Sequence, residues 1–425
     1  MKTLTAAIQF GSSRICAAAA WIDKNGQYEV AAIESVPTEG CIRHGQVVGI
    51  ADTAVRIKSL MQKLSNRLKS LGSNPLNAAY VGINGMSMRS MLHQPSLVLD
   101  DTGIVTEELL ESLRKQSMSM PIAGYDIIGL SSIGHYVEDQ HLVAQHQLII
   151  ADKRIKQGYK AAMDLAKIRT AGFIATPLQL GDILTGEEKQ LGCLLIDLGA
   201  QLTTVSIYKE GVLRQLTTLP IGCDSVTQDI ASYGLRLEDA ENIKCNWSDA
   251  SPTPDEQPES VSLACPIPLK ELNIIVTSRY EEIALNIAHQ IEKSGFSGQL
   301  AAGCIVTGGG STQKGLTALL SKRLGISRIS TRSCNSLRYG SSERKPYLAS
   351  LMSMLGTCTE SCEQVAELEF KPEEPVTPVA KPAEKPQNRE KEDKPNSSNG
   401  INFSRKKASD GIKGFFGDLF SGLDE

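Results

Sequence analysis

Apolar residues in the first forty positions fall into short blocks, LTAAIQF, RICAAAAWI and GQYEVAAIESV, parted by the turn signals GSS and Asn-Gly. Blocks of that length between turn residues predict a meander of three strands. From Asp52 to Leu71 the spacing changes to three and four residues, with Val55, Ile57, Leu60, Met61, Leu64 and Leu68 on one stripe. That period predicts an amphipathic helix, with Asp52 as its N-cap and Gly72 near its end. NAAYVGI then returns to strand. Residues 84–160 are less regular, with helical patterns in TEELLESLRKQSM and DKRIKQGYKAAMDLAK and strand patterns in DIIGLSSIGHYV and HLVAQHQLIIA. They read as a small α+β subdomain inserted into the first domain.

The opening pattern comes round again in CLLIDLGAQLTTVSIYKEGVLRQLTTLPIG, followed by the helical stretch DSVTQDIASYG. Two such strand-strand-strand-helix units imply two similar lobes facing across a cleft. Further on come a long amphipathic helix, KELNIIVTSRYEEIALNIAHQIEKSG, a strand, glycine turn and helix in AGCIVTGGGSTQKGLTALLSKRLG, and a short final helix in PYLASLMSMLG. NWSDASPTPDEQPESVS reads as an exposed loop, and the core is expected to end near Gly356. From Glu367 to Lys407 the composition turns to Pro, Glu, Lys, Asn and Ser, which cannot offset the entropy of ordering.

Composition adds exclusions. In 425 residues, 41% are apolar and 22% charged, ordinary for a folded multidomain chain, and a net charge of −4 gives duplex nucleic acid little to bind. The ten cysteines are scattered, several in apolar runs, as suits buried thiols in a reducing compartment. Cys358 and Cys362 could share a helix face, but no second Cys/His pair lies nearby to complete a zinc set. Gln9, Gly11, Ser12, Ser13 and Arg14 interrupt the alanine-rich start, so it reads as two strands and a turn rather than a signal peptide. No window reaches the roughly 20 apolar residues that span a bilayer.

The chemistry lies in three glycine turns, IQFGSSRI, IDLGAQLTTV and VTGGGSTQKG. Such turns direct backbone N–H groups outward where phosphates bind, and the third is expected to lead into a helix N-terminus. A single turn of this kind is usually just a hairpin; two at matching places in duplicated units plus a third point to a nucleotide cleft. On these motifs, and on VTSRYEEI, the sequence resembles the actin-like ATPase superfamily, and within it the bacterial FtsA family of cell-division proteins, over about residues 4 to 358. The resemblance implies an α/β, actin-like (ribonuclease H-like) duplicated two-lobe fold. It implies a first lobe over 1–190 carrying the insertion at 84–160, and a second over 191–358 with an outer subdomain at 226–299. A disordered linker over 359–408 would end in an amphipathic helix over 409–425.

The same resemblance assigns ATP and Mg²⁺ to the cleft. Gly11, Ser12, Ser13 and Arg14, the last in place of the usual lysine, would form the first phosphate loop, and Asp197, Gly199 and Thr203 the second. Gly308, Gly309 and Gly310 would line the adenosine pocket, with Arg279 and Glu282 reaching base or ribose. The family usually has aspartate where this chain has Gln9, and a glycine-rich loop ending in aspartate where it has Ala200, Gln201, Leu202 and Thr204. An amide or hydroxyl supplies neither the charge nor the base of a carboxylate. Asp197 remains for the metal, and Gln179 could position a water. The expectation is a protein that binds ATP and hydrolyses it slowly or not at all.

At the C-terminus, Ile412, Phe415, Phe416, Leu419, Phe420 and Leu423 step by 3, 1, 3, 1, 3 and define one helix face, with Arg405, Lys406 and Lys407 upstream. Four glycines, each costing about 1 kcal/mol against alanine, leave the segment mostly unfolded in water. The pattern fits the surface of an anionic membrane better than a groove on a partner or a return to the core. Together with this tail, the resemblance implies a membrane-tethered scaffold at the division site, on the cytoplasmic side of the inner membrane. It would form filaments, hold the C-terminal peptide of the tubulin-like protein FtsZ and meet other division proteins. The rival readings are an actin-like adaptor of a pilus or secretion machine, and a small-molecule kinase, which has no use for a tethered tail.

Overall fold

The computed structural model describes residues 2–25, 27–251, 265–333 and 345–363. The opening meander is present as β1 (Thr3–Phe10), β2 (Arg14–Ile22) and β3 (Tyr28–Pro37). A small hairpin, β4 (Ile42–Arg43) and β5 (Gln46–Val47), leads into helix α1 (Ile50–Lys69), and β6 (Ala78–Ile83) then pairs in parallel with β1. The insertion follows as β7 (Arg89–His93), β8 (Ser96–Val98), α2 (Glu107–Met118), β9 (Tyr125–Glu138) and β10 (His141–Asp152). Helix α3 (Lys153–Leu165) and β11 (Arg169–Ala175) complete a five-stranded sheet ordered β11-β6-β1-β2-β3.

Alanine is a weak strand former, yet Ala6, Ala7 and Ala17 to Ala20 sit in the middle of this sheet, wholly buried. Their small side chains let α1 and, from far along the chain, α10 (Ala349–Leu355) lie close on β2. Helix α1 begins two residues before the expected Asp52. Gly49 is the cap, and Asp52 sits in the first turn, where a carboxylate suits the exposed amides. Val55, expected on the core stripe, is 69% exposed; Thr53 and Ala54 are the buried residues of that turn.

The link to the second lobe is α4 (Thr176–Gln179), a 3₁₀ turn (Leu180–Ile183) and α5 (Gly186–Leu191). Then come β12 (Cys193–Leu198), β13 (Thr203–Lys209), β14 (Val212–Leu219), α6 (Asp224–Ala231), α7 (Leu237–Trp247), α8 (Leu269–Ser294), β15 (Gly303–Thr307), α9 (Leu316–Leu324) and β16 (Ile329–Thr331). Their order, β16-β15-β12-β13-β14, repeats that of the first sheet strand for strand. In each lobe an antiparallel meander is extended by two parallel strands.

Alternation along β12 decides what each residue meets. Leu194, Ile196 and Leu198 join the core beneath α6 to α9, whereas Cys193 and Leu195 join the core shared with the first lobe. Asp197, next in the second series, is thereby turned toward the first lobe.

The inserted strands continue the second sheet through β7, which meets β14 at Arg89 and Thr217. They bury two small cores of their own, around Leu113 and Leu142 and around Leu130 and Leu148. Helix α3 lies instead on α1 and buries Ile155, Tyr159, Ala162 and Met163 in the first lobe. Within the insertion, buried His146 of β10 meets the Ser117 hydroxyl of α2 at 2.8 Å. Burial, with Arg114 and its cross-strand neighbour His93, holds its pKa below the ordinary value. A folded-state pKa below the unfolded one stabilises the fold above about pH 6.5, and that contribution is lost as pH falls further. Hydrogen-exchange protection of α2, corrected for intrinsic rates, should therefore drop between pH 7 and 5, and His146→Gln should flatten the dependence.

The chain returns to the first lobe at its described end. Leu348 to Leu355, Cys358 and Cys362 lie in the first core, the Cys362 N–H donates to the Leu4 carbonyl at 3.0 Å, and Leu76 bridges Glu363. Residues 359–363, expected in the linker, thus pack on the first lobe. The expected exposed loop begins differently too: Asn246 and Trp247 end α7, and Ser248, Asp249 and Ala250 are buried, because the Asp249 carboxylate is paired with Lys314 at 2.8 Å and accepts from Ser251. The remainder of that loop lies outside the described residues. Among the described residues no helix is long and apolar enough to cross a membrane.

Candidate functional site

The duplicated turns close in the same way. In the first, the Gly11 N–H donates to the Arg14 carbonyl at 3.0 Å; in the second, the Gly199 N–H donates to the Leu202 carbonyl at 2.8 Å. A Cβ on Gly11 or Gly199 would lie 2.8 or 3.0 Å from those carbonyl oxygens, so both turns need glycine to close this tightly. Ser12 and Ser13 offer their carbonyls to the Thr38 hydroxyl and N–H, which braces the first turn against the loop after β3.

Pairing places Gln9 and Asp197 at equivalent points. Gln9 faces Cys16 on one side and Gly82 on the other; Asp197 faces Thr204 and Thr307. One lobe therefore presents a carboxylate where the other presents an amide. Burial pushes the Asp197 carboxyl up to about 6, opposed by a hydrogen bond from the Ser350 hydroxyl of α10 at 3.2 Å. The Gln9 Oε1 is buried and has no protein partner, an acceptor left for a ligand or a water to satisfy.

Arg14 lies with its guanidinium over the Tyr347 ring, 4.8 Å from the centroid. Gln179 ends α4, directly after β11, and is half-buried. Thr203 is buried and its hydroxyl donates to the Ile221 carbonyl at 2.8 Å, so that proton is already committed to the loop before α6. Gln201, in the second turn, ties the lobes together. Its Oε1 accepts the His44 N–H of the β4–β5 hairpin at 3.0 Å, and its Nε2 donates to Asp224 at 3.0 Å.

The third turn follows β15, with Gly308 at φ 86°. It does not run straight into a helix as expected. A 3₁₀ turn, Gly309–Thr312, intervenes, and α9 starts at Leu316 with Asp249 against its N-terminal Gly315. The Ser311 N–H and hydroxyl both donate to the Gly308 carbonyl and close that 3₁₀ turn, and the Asp249–Lys314 pair lies just before the helix. Arg279 and Glu282 share a face of α8 and are bonded to each other at 2.8 Å, while Arg279 also forms a two-point pair with Asp229 of α6. Those carboxylates hold the guanidinium more firmly protonated still.

Sequence reasoning passed over Glu241 and Lys244 of α7. Lys244 is buried and donates to Glu241 at 2.6 Å, to the Thr227 hydroxyl at 2.8 Å and to the Cys223 carbonyl at 3.3 Å. Cys223 in turn touches the third turn, for a Cβ on Gly310 would lie 2.1 Å from its Sγ. The spacing Glu-x-x-Lys on a helix inside the second lobe was the available signal. Tyr347 and Ser350 were also missed, and nothing local marks them. The expected membrane face, Ile412, Phe415, Phe416, Leu419, Phe420 and Leu423, lies outside the described residues.

A family model described as Cell division protein FtsA matches residues 194–383. A cell division protein FtsA of Porphyromonas gingivalis is 28% identical over 346 residues, covering 76% of this chain and 72% of the relative. One from Pseudomonas aeruginosa is 26% identical over 336 residues, covering 73% and 79%. Among solved structures, the PilM–PilN type IV pilus biogenesis complex contains a chain that superposes with a TM-score of 0.61 at 17% identity, over 84% of this chain and 99% of that one. Over about three quarters of its length the chain is similar in sequence to FtsA cell-division proteins, and its duplicated two-lobe fold resembles that of the pilus-biogenesis chain.

Proposed function

We propose that this chain is a cell-division scaffold that binds ATP between its lobes, assembles into filaments and ties FtsZ filaments to the membrane. The observation that carries the nucleotide part is the pair of identically closed glycine turns, one on each lobe, with Asp197 turned toward the first lobe. Gly11, Ser12, Ser13 and Arg14 would cradle phosphates from one side, Gly199 and its neighbours from the other, and Gly308 to Gly310 with Glu241 and Lys244 would flank the nucleoside. Tight glycine turns and an unsatisfied buried acceptor at Gln9 fit such a ligand. Bound Mg²⁺ would neutralise phosphate charge, and Asp197 is the carboxylate placed to hold it. Gln9 supplies no second charge and no base. Purified protein should bind ATP in calorimetry yet release phosphate more slowly than about 1 per second. Faster release, abolished in Asp197→Ala, would contradict the slow-hydrolysis reading.

The division role rests on the similarity to FtsA, and the membrane role on the apolar face of residues 409–425. Burying those six side chains contributes roughly 9–18 kcal/mol, against roughly 1–2 kcal/mol per backbone residue ordered. One tail is therefore marginal, and several on one filament bind by avidity. The full chain should co-sediment with vesicles containing anionic lipid, and a chain lacking 409–425 should stay in the supernatant. A variant that no longer self-associates but still sediments completely would refute the dependence on assembly.

A further inference from the structure

Between the two lobes the chain passes through one turn of 3₁₀ helix, Pro346–Leu348. The turn is anchored at both ends: Leu348 is buried in the first core, and the Pro346 carbonyl accepts the Thr307 hydroxyl of β15 at 3.5 Å. Tyr347 stands between these anchors. On one side its ring carries the Arg14 guanidinium; on the other its Cβ is 3.8 Å from where a side chain on Gly309 would begin. A residue from neither turn thus joins the first glycine turn to the third.

We propose that Tyr347 is a positioning residue of the nucleotide site, its ring holding the Arg14 guanidinium where it meets the phosphates of a nucleoside di- or triphosphate. The inference rests on the nucleotide reading above. Arginine on a flexible stem loses rotamer freedom when it meets an anion, and one already held over an aromatic face has lost much of it. A planar guanidinium stacks in this way better than an ammonium does, which gives a physical reason for arginine at position 14. A contact from Arg14 to the β- or γ-phosphate, which AMP lacks, would make the pair favour ATP and ADP over AMP.

Calorimetry of the full chain with ATP, ADP and AMP tests this. Arg14→Ala should weaken ATP about tenfold, as loss of one charge-assisted contact does, and Tyr347→Ala should weaken it several-fold with AMP unchanged. Tyr347→Phe should bind as the parent does, since the ring is kept. Arg14→Lys should behave like Tyr347→Ala, and it tests the stack without touching the 3₁₀ turn. In an Arg14→Ala background, Tyr347→Ala should have no further effect. Additive losses, a Tyr347→Phe variant as weak as Tyr347→Ala, or equal weakening of AMP would overturn the positioning role while leaving the nucleotide site in place. A parent protein that binds none of the three would overturn both.

Discussion

Gly308→Ala protein should melt roughly 6–12 °C below its parent. Gly308 sits at φ 86°, ψ 172°, a region open essentially to glycine alone, and forcing alanine there costs about 1–3 kcal/mol. The new Cβ would also lie 2.5 Å from both the Asp197 Oδ1 and the Leu198 carbonyl oxygen, an overlap worth about another 1–3 kcal/mol. A total of about 3 kcal/mol lowers Tm by roughly 2–4 °C per kcal/mol in a domain of this size. Gly72→Ala supplies the control. Its φ is also positive, at 78°, but nothing lies within 4 Å of the added carbon, so only the backbone cost applies. Scanning calorimetry of the two variants separates strain from overlap; equal melting temperatures would show that the β12–β15 contact tolerates a methyl group.

The second large effect is expected in the segment that links the lobes. Arg332, just beyond β16, donates to both Glu188 oxygens at 2.7 and 2.8 Å and to the Ile183 carbonyl at 2.7 Å. Glu188 is at the same time the third residue of α5 and completes the capping box of Thr185, its carboxylate accepting the Thr185 N–H at 2.8 Å. One guanidinium therefore ties the second lobe to both the 3₁₀ turn and α5 of the connecting segment. Glu188 is well buried and Arg332 partly so. Arg332→Ala should cost about 2 kcal/mol, less than the 3–5 kcal/mol of a fully buried pair. Lysine cannot supply the fork and should recover only part of it. The pH dependence has a definite sign. Arg332 holds the Glu188 carboxyl down at about 2, below its unfolded value, so the contribution is complete above about pH 4.5 and is lost as pH falls toward 2. Denaturant titrations should show a parent-to-variant gap that is full at pH 5 and narrows by pH 3. A gap independent of pH would mean that Arg332 acts through packing alone.

Much of the cleft was readable before the fold. The repeated meander and the glycines at 11, 199 and 308 to 310 are local features, and the structure places them at equivalent or adjoining strand ends. The departures from the family pattern at Gln9 and Gln201 were equally plain, but their consequences were not. Gln9 leaves an unsatisfied acceptor, while Gln201 spends both ends of its amide on a bridge from His44 to Asp224. Arg279 shows the same limit: its place on a helix face was legible, its engagement by Asp229, fifty positions earlier, was not.

Period and turn chemistry are set within a few residues of backbone, by the φ and ψ each residue accepts and by whether apolar side chains recur at two or at three and four. From those alone the chain declares two like lobes, their glycine bends and a charged, proline-rich stretch before an apolar terminal face. Which side of β12 looks into the cleft, what meets it there and where the chain goes after β16 depend on packing between distant segments. Ser350 reaches Asp197 across 153 positions, and Tyr347 reaches Arg14 across more than twice that. Such contacts arise when buried surfaces from separate segments have to fit together, and no pattern local to either partner carries that information.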